Sequence, residues 1–371
     1  MKKIFTSAAI AFIAIALHAE TYTKKHNINI SGFAIIDCQS TKQRIKDENS
    51  FSLRMARIVF DGHLFNYWYW KTQLNVTGIN NTLASSPKLV DLFLEWQRYD
   101  FLRIKVGQFK IPFTFENPMN PIDQGFMSYS QAVTKLVGFS DRSGQHSSNG
   151  RDIGVQVQGD FLKTTSGRPI FHYQIGMFNG QGINVKDVDT RKNLIAGLTL
   201  MPIKGLRLGI FGWLGTYSRE GNWIIDNNIK KTGIRSLEQR RYAISIEYVK
   251  NDWTVRSEFI HSIGNAFRKP LVNINDVSSH DCNLSDDGNK AQGGYALIIA
   301  PILKKKLYAK ARYDLYIPSE DCRSRKTLYE IGVNYRINNN IQIAGEYAYY
   351  QDYSVLEKNK TLIDVQLSYK F

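Results

Sequence analysis

The chain has 371 residues, a formal charge of +15, 43% hydrophobic and 12% aromatic residues, and a mean hydropathy of −0.32. Beyond its N-terminal stretch no run of about eighteen apolar residues occurs, which excludes transmembrane helices but not a β-barrel, where half of each strand is polar. The cations are scattered along the chain, which disfavours a nucleic-acid face, and three cysteines without Cys-x-x-Cys or His-rich spacing suggest neither metal nor cofactor.

Met1-Lys2-Lys3 is basic, Ile4 to Leu17 is apolar, and Leu17-His18-Ala19 offers a cleavage site. Residues 1–19 are therefore expected to be a signal peptide and residues 20–371 one exported domain. Loss of Lys2 and Lys3 lowers the charge to +13.

Alternating segments follow near residues 27–38, 51–61, 64–78, 88–98, 101–109, 151–161, 170–179, 191–201, 205–217, 239–249, 252–263, 292–302, 306–317, 326–336, 340–352 and 360–371. These sixteen segments have the length of tilted membrane strands. In the last, Ile363, Val365, Leu367, Tyr369 and Phe371 share one face, and Asp364, Gln366, Ser368 and Lys370 share the other. Around Arg54–Asp61 the alternation is too poor to assign faces. The connections sort by parity. Long ones at 39–50, 79–87, 110–150, 180–190, 218–238, 264–291, 318–325 and 353–359, the last two little longer than the short ones, alternate with short ones such as Tyr99-Asp100 and Lys250-Asn251. Long outer loops and short periplasmic turns are the habit of outer-membrane barrels, with both termini on the periplasmic side. The expected fold is an all-β, transmembrane antiparallel barrel of about sixteen strands, with the last closing on residues 27–38.

Such a barrel is too wide for side chains to fill and encloses an aqueous lumen. The 110–150 connection is the expected constriction. It is far longer than ordinary loops and rich in apolar residues, Phe113, Phe115, Phe126, Leu136 and Val137 among them. Those residues need a burial site, either the barrel interior or, alternatively, a subunit interface. Cys282 and Cys322 fall in outer loops flanking one hairpin, and the single bridge that three thiols allow is expected between them, leaving Cys38 unpaired.

Phe51 to Gly62, Arg103 to Phe115, Gly150 to Val155 and Tyr173 to Gly182 resemble the phosphate-selective porin O and P family, above all in Val-Gly-Gln-Phe-Lys-Ile-Pro-Phe and Gly-Arg-Asp-Ile-Gly. The resemblance covers essentially the whole mature chain. It implies an outer-membrane, sixteen-stranded homotrimeric porin whose third loop folds into the pore, and an arginine ladder in its selective members. The terminal Phe371 is similar to the aromatic C-terminus read by outer-membrane assembly machinery.

A ladder is not what the faces give. The cations inferred to face the lumen are Lys71, Arg103, Lys105, Arg207, Arg256, Lys310, Arg312, Arg336 and Lys370. Against them stand ten carboxylates, including Asp91, Glu95, Asp152, Asp160, Glu247, Glu258, Asp314, Glu330 and Glu346. A mixed field gives weak ion preference. The excess charge then belongs to loops and turns, in reach of outer-membrane lipid and lipopolysaccharide phosphates. Lys110, Lys135, Arg142 and Arg151, within or beside the long loop, join Lys71, Arg103 and Lys105 as candidates for contacting anions at the constriction. The bland alternative is that they anchor the loop by ion pairs.

The expected function is passive diffusion of small hydrophilic solutes, with a preference for anions such as phosphate. One rival is a saccharide channel lined by Tyr67, Tyr69, Phe93, Tyr129 and Phe211. Another is a surface adhesin or receptor using the 218–238 and 264–291 loops. A hydrolase is disfavoured, because Asp141, His146, Ser147 and Ser148 are only sequence neighbours.

Overall fold

The computed structural model describes residues 27–42, 48–77, 87–137, 149–225, 229–269, 276–286 and 288–371. The expected signal peptide, Arg142 and the Asp141–His146–Ser147–Ser148 cluster lie outside these residues. Sixteen strands form one closed antiparallel sheet: β1 Asn27–Lys42, β2 Glu48–Leu64, β3 Trp68–Asn75, β4 Lys88–Tyr99, β5 Leu102–Lys110, β6 Arg151–Lys163, β7 Pro169–Phe178, β8 Asn193–Leu200, β9 Leu206–Ile225, β10 Ile229–Lys250, β11 Trp253–Ile263, β12 Lys290–Leu303, β13 Leu307–Ile317, β14 Lys326–Arg336, β15 Ile341–Asp352 and β16 Asn359–Lys370. Each strand pairs with its sequence neighbours, and β1 pairs with β16. Closure leaves no unpaired edge within the wall, the condition for strands to cross lipid.

The seam shows how alternation becomes architecture. Ile36 opposes Leu367 and Cys38 opposes Val365 on the outer face, while Asp37 opposes Gln366 on the inner. Val365 is 50% exposed, whereas Ser368 is 1% exposed. The exposed apolar face is that of a wall meeting lipid, and the buried polar face that of a wall lining a lumen. Gly32 and Phe371 exchange two backbone hydrogen bonds of 3.0 Å, and the Phe371 ring occupies the space where a Cβ on Gly32 would lie. Near the short turns of β4–β7, Tyr99 stacks on Phe101 and Phe161 on Phe171, each at 5.3 Å, forming part of an aromatic belt.

Three expectations are corrected. The poor alternation near Arg54 comes from a bulge. Ile35 opposes Met55 but Ile36 opposes Leu53, so the phase of β2 slips by one residue at Arg54. Phe51 and Leu53 face outward before the slip, Ile58 and Phe60 after it. Second, most of the 39–50 and 218–238 connections are strand: β1 and β2 pair out to Thr41 and Glu48, and β9 and β10 out to Ile225 and Ile229. Above the wall the alternation of apolar and polar residues lapses, because neither face meets lipid.

Third, the expected Cys282–Cys322 bridge is absent, and all three cysteines are free. Cys282 is buried with Trp223, Leu237 and Phe267, its Sγ 3.7 Å from the Arg219 carbonyl oxygen, whereas Cys322 is exposed on a one-turn 3₁₀ segment. Burial pushes the Cys282 thiol up to about 11, so it stays protonated and unreactive at neutral pH. Maleimide added to intact cells is expected to label Cys322 and to spare Cys282 until the barrel is denatured. Equal labelling of both by mass spectrometry refutes the burial.

The long connection folds into the lumen and not onto a subunit interface. Its apolar side chains, Phe113, Phe115, Val133, Leu136 and Val137, form one core with wall residues Phe211, Trp213, Ala243 and Ile260. A short helix, α1 Gln131–Leu136, is N-capped by Ser130, whose hydroxyl accepts from the Val133 amide. The helix lies against β11, β12 and β13, and a Cβ on Gly293 of β12 would stand 3.0 Å from Ala132. Glycine there lets the helix approach the wall closely.

Candidate functional site

The loop is fastened to one side of the barrel, the wall formed by β11–β15, chiefly by carboxylates. Glu258 accepts the backbone amides of Phe115 (3.0 Å) and Glu116 (2.7 Å), the Ser245 hydroxyl (2.6 Å) and the Tyr295 hydroxyl (2.7 Å). Asp314 accepts the Gln131 amide at 2.7 Å, and Glu346 accepts the Met127 amide at 2.8 Å. Cations of the same wall and of the flanking strands complete the clamp. Arg312 is paired with Glu330, stands 3.7 Å from Glu116 and donates to the Ser128 carbonyl (2.9 Å). Lys310 is paired with Glu346 and donates to the Gly125 carbonyl (3.0 Å). Arg256 and Arg207 share Glu247, and Lys370 pairs with Asp123 near the loop tip. Every charge on this wall that sequence reasoning counted as lumen-facing is thus engaged in holding the loop or a neighbouring strand.

The opposite wall is different. Between loop residues Pro118–Pro121 and strands β2–β6 lies a cavity of about 220 Å³, lined by Arg57, Lys71, Lys105, Lys110 and Arg151, with Asp91, Gln73, Phe93 and Phe109. Register puts these side chains together. Arg57 opposes Asn75, Gln73 opposes Asp91, and Lys105 opposes Glu95, all with side chains on the inner face. Arg151 grips Asp91 with two bonds, Nε to Oδ1 at 2.6 Å and Nη2 to Oδ2 at 3.2 Å. Lys71 stands 3.8 Å from Asp91, and Lys105 3.7 Å from Glu95 and over the Phe93 ring at 4.8 Å. Five cations thus meet two carboxylates, a local surplus of positive charge within a narrow space whose low dielectric strengthens it.

Four of the seven cations proposed from sequence converge here: Lys71, Lys105, Lys110 and Arg151. Lys110 has a double role. Its ammonium donates to the Asn117 and Met119 carbonyls and to the Tyr129 hydroxyl, so it anchors the loop root while lining the cavity. Two others do not belong. Arg103 pairs with Asp160 at 2.8 Å, beside His172, below the cluster. Lys135 sits in the last turn of α1, on the far side of the lumen. The proposed aromatic lining is corrected in part: Phe93 lines the cavity with Tyr69 beside it at 6.0 Å, and the other three do not line it. Phe211 packs edge-on against Phe115 at 5.7 Å, Tyr129 donates to the Met119 carbonyl, and Tyr67 lies exposed in the β2–β3 turn.

Arg57 is the residue sequence reasoning missed. It is 3% exposed, its guanidinium lies over the Phe33 ring at 5.8 Å, and it has no ion pair among the described residues. The bulge at Arg54 concealed it by shifting β2 out of phase. Phe51 and Leu53, read forward in steps of two, place Arg57 on the lipid face.

Two of the sequence signatures prove to be structural. Asp152, in Gly-Arg-Asp-Ile-Gly, accepts the Gly180 amide at 2.6 Å and that of Ile153 at 2.7 Å. It thereby pins the Asn179–Gly182 turn, whose glycines adopt φ of +88° and +86°. Gln108, in Val-Gly-Gln-Phe, accepts the Asn184 amide at 2.7 Å and donates to the Val90 carbonyl at 3.0 Å.

Residues 28–186 match the family model described as phosphate-selective porin O and P. No curated protein matches the chain significantly. Among solved structures, the chain resembles a loop-deletion mutant of OmpT, an outer-membrane protein of Vibrio cholerae, with a TM-score of 0.62 at 11% identity over 93% of this chain and 99% of that one. It also resembles the outer-membrane channel DcaP of Acinetobacter baumannii, with a TM-score of 0.60 at 10% identity over 93% and 97%. For the trimer form of the Vibrio OmpT the TM-score is 0.57 at 13% identity, over 93% and 99%.

Proposed function

We propose that this outer-membrane porin, whose residues 28–186 carry the phosphate-selective porin O and P signature, is a homotrimeric diffusion channel that favours small anions, phosphate among them. The observation that carries the preference is the cavity where Arg57, Lys71, Lys105, Lys110 and Arg151 face the loop, with Asp91 in its lining and Glu95 beside Lys105. A solute passing the loop on that side meets fixed positive charge. On the other side, the carboxylates are consumed by backbone amides and buried ion pairs. The mixed field read from the sequence is therefore sorted by wall, and sorting turns a balanced count into a directional bias. The trimer is supported by the porin fold and by the likeness to a trimeric OmpT. Cations in the short periplasmic turns, such as Lys304 and Lys305, would meet phospholipid phosphates of the inner leaflet, and exposed cations of the long outer loops, such as Arg323, those of lipopolysaccharide.

In planar bilayers under a KCl gradient, the reversal potential is expected on the anion-selective side. Lys71→Glu is expected to move it toward cation selectivity, and Arg57→Gln to move it part of the way. Added phosphate is expected to reduce chloride conductance, and maltooligosaccharides to leave it unchanged. A cation-selective wild-type channel overturns the anion preference; block by oligosaccharide alone favours the saccharide reading.

A further inference from the structure

The β9–β10 hairpin outruns its neighbours on the long-loop side. β8 pairs with β9 only as far as Leu214 and β11 with β10 only from Arg240, yet β9 and β10 pair with each other out to Ile225 and Ile229. At about 3.3 Å per residue this overhang runs roughly 35 Å along the strand past its last pairing with the wall. It is braced by its own small core of Trp223, Leu237, Phe267 and Cys282. Its Arg219 donates to the Lys269 and Asp281 carbonyls.

The two edges of this arm differ. Along β9 a returning loop segment is added. The Asn222 amide donates to the His280 carbonyl at 3.0 Å, the Cys282 amide to the Asn222 carbonyl at 2.8 Å, and Asn222 and Asp281 form a parallel bridge. Along β10, Ile229 to Leu237 has no backbone partner on the side away from β9 among the described residues. This stretch carries Lys230, Lys231 and Arg235 and no carboxylate before Glu238. Ile229 and Ile234 are 64% and 49% exposed, outside the lipid band that would explain such exposure elsewhere. At the foot of the edge, where β10 parts from β11, lies a cavity of about 350 Å³ lined by Ser236, Leu237, Ile263, Asn265 and Asn289 among others.

We propose that this edge docks an extended acidic polypeptide segment as an added β-strand. An unpaired edge supplies main-chain donors and acceptors, and alternate side chains supply selectivity. The cations that keep a second copy from pairing here, by placing like charges opposite one another, favour an acidic partner. The exposed isoleucines and the cavity at the foot offer apolar contacts to its alternate residues. The site is independent of conduction.

The test uses the purified full-length protein in detergent and a fluorescein-labelled octapeptide alternating Val and Glu, followed by anisotropy, with a Val-Lys octapeptide as control. Saturable binding of the Val-Glu peptide alone is expected. The triple variant Lys230→Glu, Lys231→Glu, Arg235→Glu should raise its dissociation constant tenfold or more, and Ile234→Pro, which removes a backbone donor and stiffens the edge, should weaken it without altering charge. Unchanged conductance and heat-resistant migration in gels certify that each variant barrel is folded. Absence of binding, equal binding of both peptides, or binding unaffected by the charge reversal overturns the proposal. Sedimentation showing higher assemblies that vanish in the triple variant overturns it in favour of a second copy as occupant.

Discussion

Arg312→Ala is expected to destabilise the protein by about 3–5 kcal/mol, the usual penalty for removing one partner of a buried ion pair. Arg312 is 2% exposed and touches the inward loop at two places, Glu116 and the Phe126–Ser128 stretch. It pairs with Glu330 on the neighbouring strand, faces Glu116 at 3.7 Å, holds the Ser128 carbonyl at 2.9 Å and lies over the Phe126 ring at 4.6 Å. Glu116 in turn accepts the Ser130 amide (3.1 Å) and hydroxyl (2.6 Å), so it orients the start of α1. Removing the guanidinium leaves Glu116 and Glu330 without the cation that bridges them in a buried site. Equilibrium urea unfolding should report the loss. Bilayer recordings should show a noisier, larger conductance, because the loop loses its hold at Glu116 and Ser128 while the wall stays intact. Arg312→Lys keeps the charge but not the fork, and should recover only part of the stability. A loss below about 1 kcal/mol, the size of an exposed pair, would show that Arg312 is not the clamp.

This clamp was only half legible in the sequence. That the 110–150 connection must bury its aromatics followed from Phe113, Phe115 and Phe126, since apolar side chains in a solvated loop need a partner surface. Which surface they meet did not follow, because it depends on strands more than a hundred residues away. Glu258 and Asp314 were correctly placed on inner faces by alternation. Their task, accepting the Phe115, Glu116 and Gln131 amides, is set by the loop's path and leaves no mark in local sequence. The strand count and closure were legible because lipid on one side and water on the other impose a period of two, clearest at Ile363–Phe371. Where that constraint is lifted, the reading failed. The upper arm of β9 and β10 meets lipid on neither face, one side being packed on Trp223, Leu237, Phe267 and Cys282, so the lipid-imposed period is lost and the stretch reads as a loop. The bulge at Arg54 broke the phase, so Arg57, the most deeply buried cation of the cavity, was overlooked.

Excising residues 119–136, with a short Gly-Ser link across the gap, is expected to change conduction more than any single substitution. The loop fills part of a lumen that sixteen strands cannot fill with wall side chains, so single-channel conductance should rise severalfold. Selectivity should move as well, and in a definite direction. The deletion strips the Gln131 amide from Asp314 and the Met127 amide from Glu346, and it loosens the Phe115–Glu116 segment over Glu258. Three carboxylates of the β11–β15 wall then face water. Meanwhile the Lys110 ammonium loses the Met119 carbonyl and the Tyr129 hydroxyl, and the cations on β2–β6 no longer confront a narrow gap. Fixed charge acts over about a Debye length, near 8 Å at physiological salt, so widening the passage weakens the cationic side just as the anionic side is uncovered. A channel of larger conductance with its reversal potential shifted toward cations is the expected result. An unchanged conductance would mean that the loop does not limit flow. A larger conductance with undiminished anion selectivity would place the bias in the β2–β6 wall alone, with no contribution from the confinement the loop provides.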